Sequence, residues 1–265
     1  MIKHFLVFVF FAVHLQVAKA GIVVINGLTH SYKVEKGQIY KGSIEIENTG
    51  TAAQDVKIFF QDLSYNAEGN IFYKDPGSLK RSNSSWIKIN TNLVSLKGKE
   101  KATIRYEIAV PAELSESGSF WSAIMVEPVD KINPRENKPG VNISSIVRYA
   151  VQIITDHDSE NAKPELKFES VKLDSEHGLK TLKIAIANNG NLFCKPRATV
   201  EIYDKNGKKT GDFTSMVMGL LPGNSKMFSI DISKIIPGKY SAVILATDED
   251  ENAFALNVDL EVKDD

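Results

Sequence analysis

The sequence predicts an all-β protein: two tandem immunoglobulin-like β-sandwich domains behind a cleaved signal peptide. Apolar residues recur with period two, turn signals separate the apolar runs, and one order of strands and turns occurs twice. Ala102, Ile104, Tyr106, Ile108 and Val110 alternate with Thr103, Arg105, Glu107 and Ala109. Phe228, Ile230 and Ile232 alternate with Ser229 and Asp231, and Phe254, Leu256, Val258, Leu260 and Val262 follow the same rule near the end. Such alternation gives a strand one face for a core and one for water. Asn48-Thr49-Gly50, Glu68-Gly69-Asn70, Asn188-Asn189-Gly190-Asn191, Asn206-Gly207 and Pro222-Gly223-Asn224 punctuate the runs with residues that tolerate tight turns.

The repeat is specific in its order. Ile44-Glu45-Ile46-Glu47-Asn48-Thr49-Gly50 parallels Ile184-Ala185-Ile186-Ala187-Asn188-Asn189-Gly190, and each is followed by a second strand. Leu96-Lys97-Gly98 then parallels Leu221-Pro222-Gly223 ahead of another strand. Two copies of one sandwich plan account for this order. The first copy is longer, with extra chain from Asp62 to Asn90. A polar stretch closing on Pro164 reads as a linker. The expected domains are therefore 21–155 and 165–265, joined by 156–164.

At the amino end, Lys3 and His4 precede an apolar run from Phe5 to Val13, and the segment closes on Ala18-Lys19-Ala20. A basic start, a short apolar stretch and small residues at the cleavage positions make a signal peptide, with cleavage expected after Ala20. The run is too short to span a bilayer, which takes ~20 apolar residues. No later segment is apolar enough to serve as an anchor. The expected location is the periplasm or the exterior.

With 265 residues, 43% of them hydrophobic, the chain can fill two cores. A net charge of -1 offers no basic face for nucleic acid and no polybasic patch for membranes. The single cysteine, Cys194, excludes an internal disulfide, so both cores must hold by packing.

No catalytic constellation assembles, and no enzyme, cofactor or metal is expected. His30, His157 and His177 sit in polar surroundings without ligand spacing. Cys194 reads as a strand cysteine with no adjacent histidine. Asp62 to Gly69 spaces oxygen ligands alternately but lacks the glycine and glutamate of a calcium loop. Asp248 to Asn252 reads as a solvated hairpin tip. Asn83-Ser84-Ser85 and Asn142-Ile143-Ser144 have glycosylation spacing, which matters only in a eukaryotic secretory route.

The stretch 141–154 departs from half-buried alternation. Val141, Ile143, Val147, Tyr149, Val151 and Ile153 fill one parity; Ile146, Ala150 and Ile154 make the other apolar too. Such a strand is either central, or an edge that receives a partner strand. Arg148 interrupts it with a guanidinium fork suited to a carboxylate. Val147, Arg148, Tyr149, Val151 and Ile153 are the candidate partner-binding residues.

Three stretches occur in a familiar order: Leu79-Lys80-Arg81-Ser82-Asn83-Ser84-Ser85-Trp86-Ile87, then Val110 through Ile124 with Gly118-Ser119-Phe120-Trp121, then Ile146-Val147-Arg148-Tyr149-Ala150-Val151-Gln152-Ile153. Together they resemble the periplasmic pilus-assembly chaperones and the WxL-interacting surface proteins of Gram-positive bacteria. The first resemblance implies two immunoglobulin-like domains and a subunit's terminal carboxylate held by two basic residues, one on the first strand and one on the last strand of the first domain. Arg148 stands at the second of these places. The first strand, Ile22 to Asn26, carries no basic residue, and Lys33 comes later. The second resemblance implies a first domain that binds peptidoglycan. The expected function is non-catalytic binding of an exported, pilus-type or surface-protein subunit in the manner of a chaperone. The alternative is a structural envelope protein that binds peptidoglycan or a surface partner.

Overall fold

Side-chain alternation is realised as strand along both halves of the chain. The computed structural model describes residues 21–129, 147–176 and 179–263, and these are almost wholly extended. The leader, residues 141–146 of the two-faced strand and His177 lie outside the described residues. Among the described residues no helix is long and apolar enough to cross a membrane.

The first domain stacks two sheets. One runs β1 (Ile22–Val24), β3 (Ile39–Asn48), β8 (Lys101–Ala109), β6 (Ile87–Ile89). The other runs β2 (Thr29–Val34), β10 (Tyr149–His157), β9 (Gly118–Pro128), β4 (Gln54–Tyr65), with β5 (Ile71–Lys74) and β7 (Leu93–Leu96) sharing the far edge of β4. Ile44, Ile104, Ile108, Ile124, Val151 and Ile153 are fully buried between them. Each such side chain stabilises the fold by about 1.5–3 kcal/mol.

The second domain repeats the plan with fewer strands. Its sheets are β11 (Leu166–Glu176), β12 (Leu179–Asn188), β15 (Ser225–Asp231), and β14 (Lys209–Thr214), β13 (Arg197–Tyr203), β16 (Gly238–Thr247), β17 (Ala253–Val262). Ile184, Ile186, Val200, Ile202, Phe228 and Ile244 fill its core. Asp248 to Asn252 forms the tip of the β16–β17 hairpin, where Asp248 Oδ1 accepts from the N–H groups of Asp250 and Asn252.

The sequence repeat has a physical counterpart in two buried asparagines. Asn48 Nδ2 donates to the carbonyls of Ala52 and Leu96, and its Oδ1 accepts from Gly50 N–H. Asn188 Nδ2 donates to Leu192 and Leu220 carbonyls, and its Oδ1 accepts from Gly190 N–H. Both then tie a second turn by backbone bonds: Lys99 N–H to Asn48 O at 2.9 Å, and Gly223 N–H to Asn188 O at 2.7 Å. Lys99 and Gly223 share the left-handed conformation, at φ 65° and 69°. Glycine takes it freely, whereas lysine is strained there.

At its start the chain serves both sheets of the first domain. β1 pairs antiparallel with β3; Gly27, at φ 92°, turns the chain; and β2 then pairs parallel with β10. That parallel pairing covers only Gln152 to His157.

β10 owes its two apolar faces to two different cores. Val151 and Ile153 enter the sandwich, while Ala150 and Ile154 lie on the outer face with Leu63, Trp121, Ala123 and Met125. Against that outer face packs Leu221 of the second domain, fully buried, with Phe193 beside it. Polar bonds frame the seam. Asn224 Oδ1 accepts from Tyr65 N–H at 2.7 Å, Ser225 Oγ from Ala67 N–H at 3.0 Å, and Asn191 O from Ser119 N–H at 2.8 Å. β10 itself continues through Asp156 to a buried His157, and the chain reaches β11 at Leu166.

Candidate functional site

The first half of β10 has an open edge. Gln152 N–H donates to Leu28 O at 2.9 Å, which fixes the even-numbered residues of β10 as those whose backbone groups point towards β2. Because β2 begins opposite Gln152, the N–H and C=O of Ala150 face the same side with no strand beside them among the described residues. An unpaired row of this kind is a template for a further strand.

Apolar groups surround that edge. Val147 is 59% exposed, and Leu28, Ile71 and Tyr73 are also exposed although large and hydrophobic. Ile71 to Tyr73 belong to β5, itself an edge strand. Between the β10 edge and the second domain lies a cavity of about 490 Å³. The first domain lines it with Leu28, Tyr65, Ile71, Arg148 and Ala150; the second contributes Met218, Lys226 and Met227.

Two cations reach this cavity. Arg148 Nε lies 2.7 Å from Glu127 Oε2, with the arginine side chain 47% exposed. The Lys226 ammonium sits over the Tyr65 ring, 4.6 Å from its centroid. Burial holds the pKa of Lys226 below the ordinary lysine range. Tyr65 is pinned from both sides: its hydroxyl donates to Gly219 O and accepts from Leu221 N–H.

The sequence-predicted residues divide. Arg148 and Tyr149 line the cavity and Val147 lies exposed beside it. Val151 and Ile153 are fully buried in the sandwich, so in this state they support the strand from within. Lys33 belongs elsewhere: it pairs with Asp156 at the opposite end of β10. Sequence reasoning missed Lys226, Tyr65 and the β5 rim. Lys226 left one legible signal, since it shares strand parity with Phe228 and Ile230, where an apolar residue is expected.

The three familiar sequence stretches meet in space, but at a scaffold. Asn83, fully buried, donates through Nδ2 to Phe120 O and Ile153 O, and its Oδ1 accepts from Ser122 Oγ. Trp86 packs on Phe120 with centroids 4.9 Å apart, and the Arg81 guanidinium stands over the same ring, 5.2 Å from its centroid. A side chain so enclosed leaves no room for a glycan on the folded protein.

A second cavity, of about 460 Å³, opens at the other end of the seam among Lys33, Asp156, Glu160, Cys194, Lys195 and Asp248. Burial raises the Asp156 pKa, against the opposing hydrogen bond from Ser119. Burial, with Asp248 and Asp250 nearby, pushes the Cys194 thiol up to about 12. A thiol held protonated is a poor nucleophile. We therefore expect a thiol reagent at pH 8 to label native Cys194 far more slowly than the urea-unfolded chain. Equal rates would show that the site opens freely. Among the described residues no group of three or more His, Cys, Asp or Glu gathers to hold a metal ion.

No protein-family model matches the chain, and no curated protein matches it. Solved structures do. A chain of the CsuC–CsuE chaperone–tip adhesion subunit pre-assembly complex, from archaic chaperone-usher Csu pili of Acinetobacter baumannii, is 14% identical. The match covers 93% of this chain and 100% of that one, with a TM-score of 0.47. A chain of the chaperone–tip adhesin complex of CFA/I fimbriae biogenesis is 13% identical, covering 90% and 98%, with a TM-score of 0.46. The class 5 fimbriae chaperone CfaA is 12% identical, covering 89% and 98%, with a TM-score of 0.46. In structure, this chain of two immunoglobulin-like sandwiches is similar to chaperones of pilus assembly.

Proposed function

We propose that this chain is a non-catalytic binding protein outside the cytoplasm that seats an extended segment of another exported protein on the open edge of β10. One observation carries the reading: the unpaired backbone at Ala150 adjoins a cavity with apolar walls and two cations. Main-chain hydrogen bonds would supply affinity there, and the apolar walls would select side chains. The chaperone role for a pilus-type or other surface subunit extends this reading along the resemblance of the three sequence stretches. The signal-peptide pattern supports the location.

Two substitutions test it. Ala150→Pro removes an N–H that faces the open edge and pairs with nothing among the described residues. An edge position tolerates the ring, so the fold should persist. Capture of the exported partner from the cell's own envelope fraction should be lost. Arg148→Ala breaks an exposed ion pair, worth about 0–1 kcal/mol, and should leave Tm unchanged. If Arg148 holds a partner carboxylate, losing about 3 kcal/mol would weaken capture roughly a hundredfold. Undiminished capture by Ala150→Pro, with retention on washed peptidoglycan, would replace this reading with that of a wall-binding envelope protein.

A further inference from the structure

β2 is weakly anchored. It ends its sheet beyond β10, and of its six residues only Val34 is buried. His30 stands opposite Ile153 and Tyr32 opposite Thr155, so His30, Tyr32 and Val34 face the sandwich interior. Apart from Val34 and the Tyr32 ring, little apolar surface holds the strand, and a hydroxyl group does more. Tyr106, fully buried on β8 in the facing sheet, has its Oη 2.7 Å from His30 Nδ1 and 2.7 Å from Tyr32 Oη. Gly42 lies opposite Tyr106 on β3, and a side chain there would collide with both tyrosine hydroxyls. One buried hydroxyl thus clasps two residues of β2.

The clasp leaves one atom unserved. His30 Nε2 is buried and has no hydrogen-bond partner among the described residues. A neutral ring tolerates this, because one nitrogen bonds Tyr106 and the other can remain a bare lone pair. A protonated ring carries N–H on both nitrogens, and the second N–H would be buried without an acceptor. No carboxylate faces the ring to offset its charge. The titratable groups on its side are Tyr32 on its own strand, Tyr106 on β8 and, beyond Tyr32, Tyr40 on β3. Lys33, Lys41, Glu45, Arg105, Glu107 and Asp156 have the opposite parity and lie on the outer faces. His157, inward at the far end of β10, is bonded through Nδ1 to Glu116 O.

We propose that β2 is a strap released by protonation of His30, so that in mild acid the open edge of β10 lengthens from Ala150 to Asp156. With the ring charged, the clasp at Tyr106 fails and β2 lifts from Gln152, Ile154 and Asp156, whose backbone groups face it. The inference rests on reading that edge as a partner seat, and it adds a regulation of the seat: a longer edge offers more main-chain bonds to an incoming strand. Asp156 is not the trigger. Burial holds its pKa above the ordinary carboxylate range, so its contribution to the paired state is greatest in acid and falls as pH rises, the opposite sign.

The test is hydrogen exchange of the full chain with no partner present, read amide by amide by NMR as protection relative to intrinsic rates. The amides of Gln152, Ile154 and Asp156 report β2, and those of Val151, Ile153 and Thr155, which face β9, serve as the internal control. Moving wild type from about pH 7.5 to about pH 5.5 crosses the range in which histidine changes charge. Protection of the first set should fall at least about tenfold, with the second set held within about twofold. His30→Asn keeps a polar group near the Nδ1 position but takes no charge, and it should abolish the change. Tyr106→Phe should lower protection of the first set at both pH values. Wild-type protection that ignores pH, an undiminished change in His30→Asn, full protection in Tyr106→Phe or equal loss in both sets overturns the strap. Each of these outcomes leaves the strand seat at Ala150 standing, since that seat is tested separately by partner capture with Ala150→Pro.

Discussion

Asn83→Ala should cost the first domain about 3–5 kcal/mol, against a total stability for such domains on the order of 5–15 kcal/mol. The amide serves four partners at once: the carbonyls of Phe120 and Ile153, the hydroxyl of Thr155 and the hydroxyl of Ser122. None of these groups has water as an alternative, because Asn83, Ser122 and Thr155 are fully buried. Removing the amide leaves the buried Ser122 hydroxyl without its acceptor, at about 1–3 kcal/mol, takes one hydrogen bond each from the Phe120 and Ile153 carbonyls, and opens a void that water cannot readily fill. Asn83→Asp should be worse, since a carboxylate would face carbonyl oxygens that now receive N–H. Urea unfolding followed by tryptophan fluorescence would read the change directly, because Trp86 and Trp121 both lie beside the affected strands. A loss under about 1 kcal/mol would mean that the loop from Leu79 to Trp86 is held by its backbone and its aromatic contacts instead.

The second large effect concerns the seam. Trp121 packs among Leu63, Met125, Ile154 and Leu221, and its indole N–H donates to Leu63 O at 2.9 Å. Trp121→Ala should destabilise the protein by about 3–5 kcal/mol. The form of the transition is the sharper readout. With an apolar seam and hydrogen bonds from both sides, the wild-type chain should melt as one unit. Trp121→Ala should separate that into two transitions, one for each sandwich. Two resolved transitions in wild type would show that the seam contributes little and that the domains behave as independently folding units.

Much of this architecture is written in residue order. Period-two alternation identifies strands because the pleat imposes it, and Asn48 and Asn188 mark the repeat because each saturates the same set of turn groups. The open edge of β10 was harder to see. The run around Tyr149 and Val151 reads as apolar on both faces, yet that reading cannot say which apolar face meets a second domain and which backbone side lacks a neighbour. Those facts depend on where β2 starts, and β2 starts late because Gly27 redirects the chain. Lys226 was hidden for a related reason. Its strand parity is legible, but the Tyr65 ring that accepts its charge lies 161 positions earlier in sequence, and only the fold brings them together. The stretch around Asn83 misleads in the opposite direction. Its residues are distinctive because burial demands them, and so a conspicuous motif marks a scaffold.

Tyr65 gives the cavity a property of its own. Its backbone and hydroxyl are tied to Asn224, Gly219 and Leu221, while the hairpin that follows it carries Ile71 and Tyr73 to the rim. The rim is therefore braced against the second domain and has little freedom to close on a small occupant. If a partner segment enters, a seat of fixed width would select by fit: a ligand that fills it would forfeit little entropy in the protein on arrival, and one that leaves gaps would find no induced closure to make up the loss.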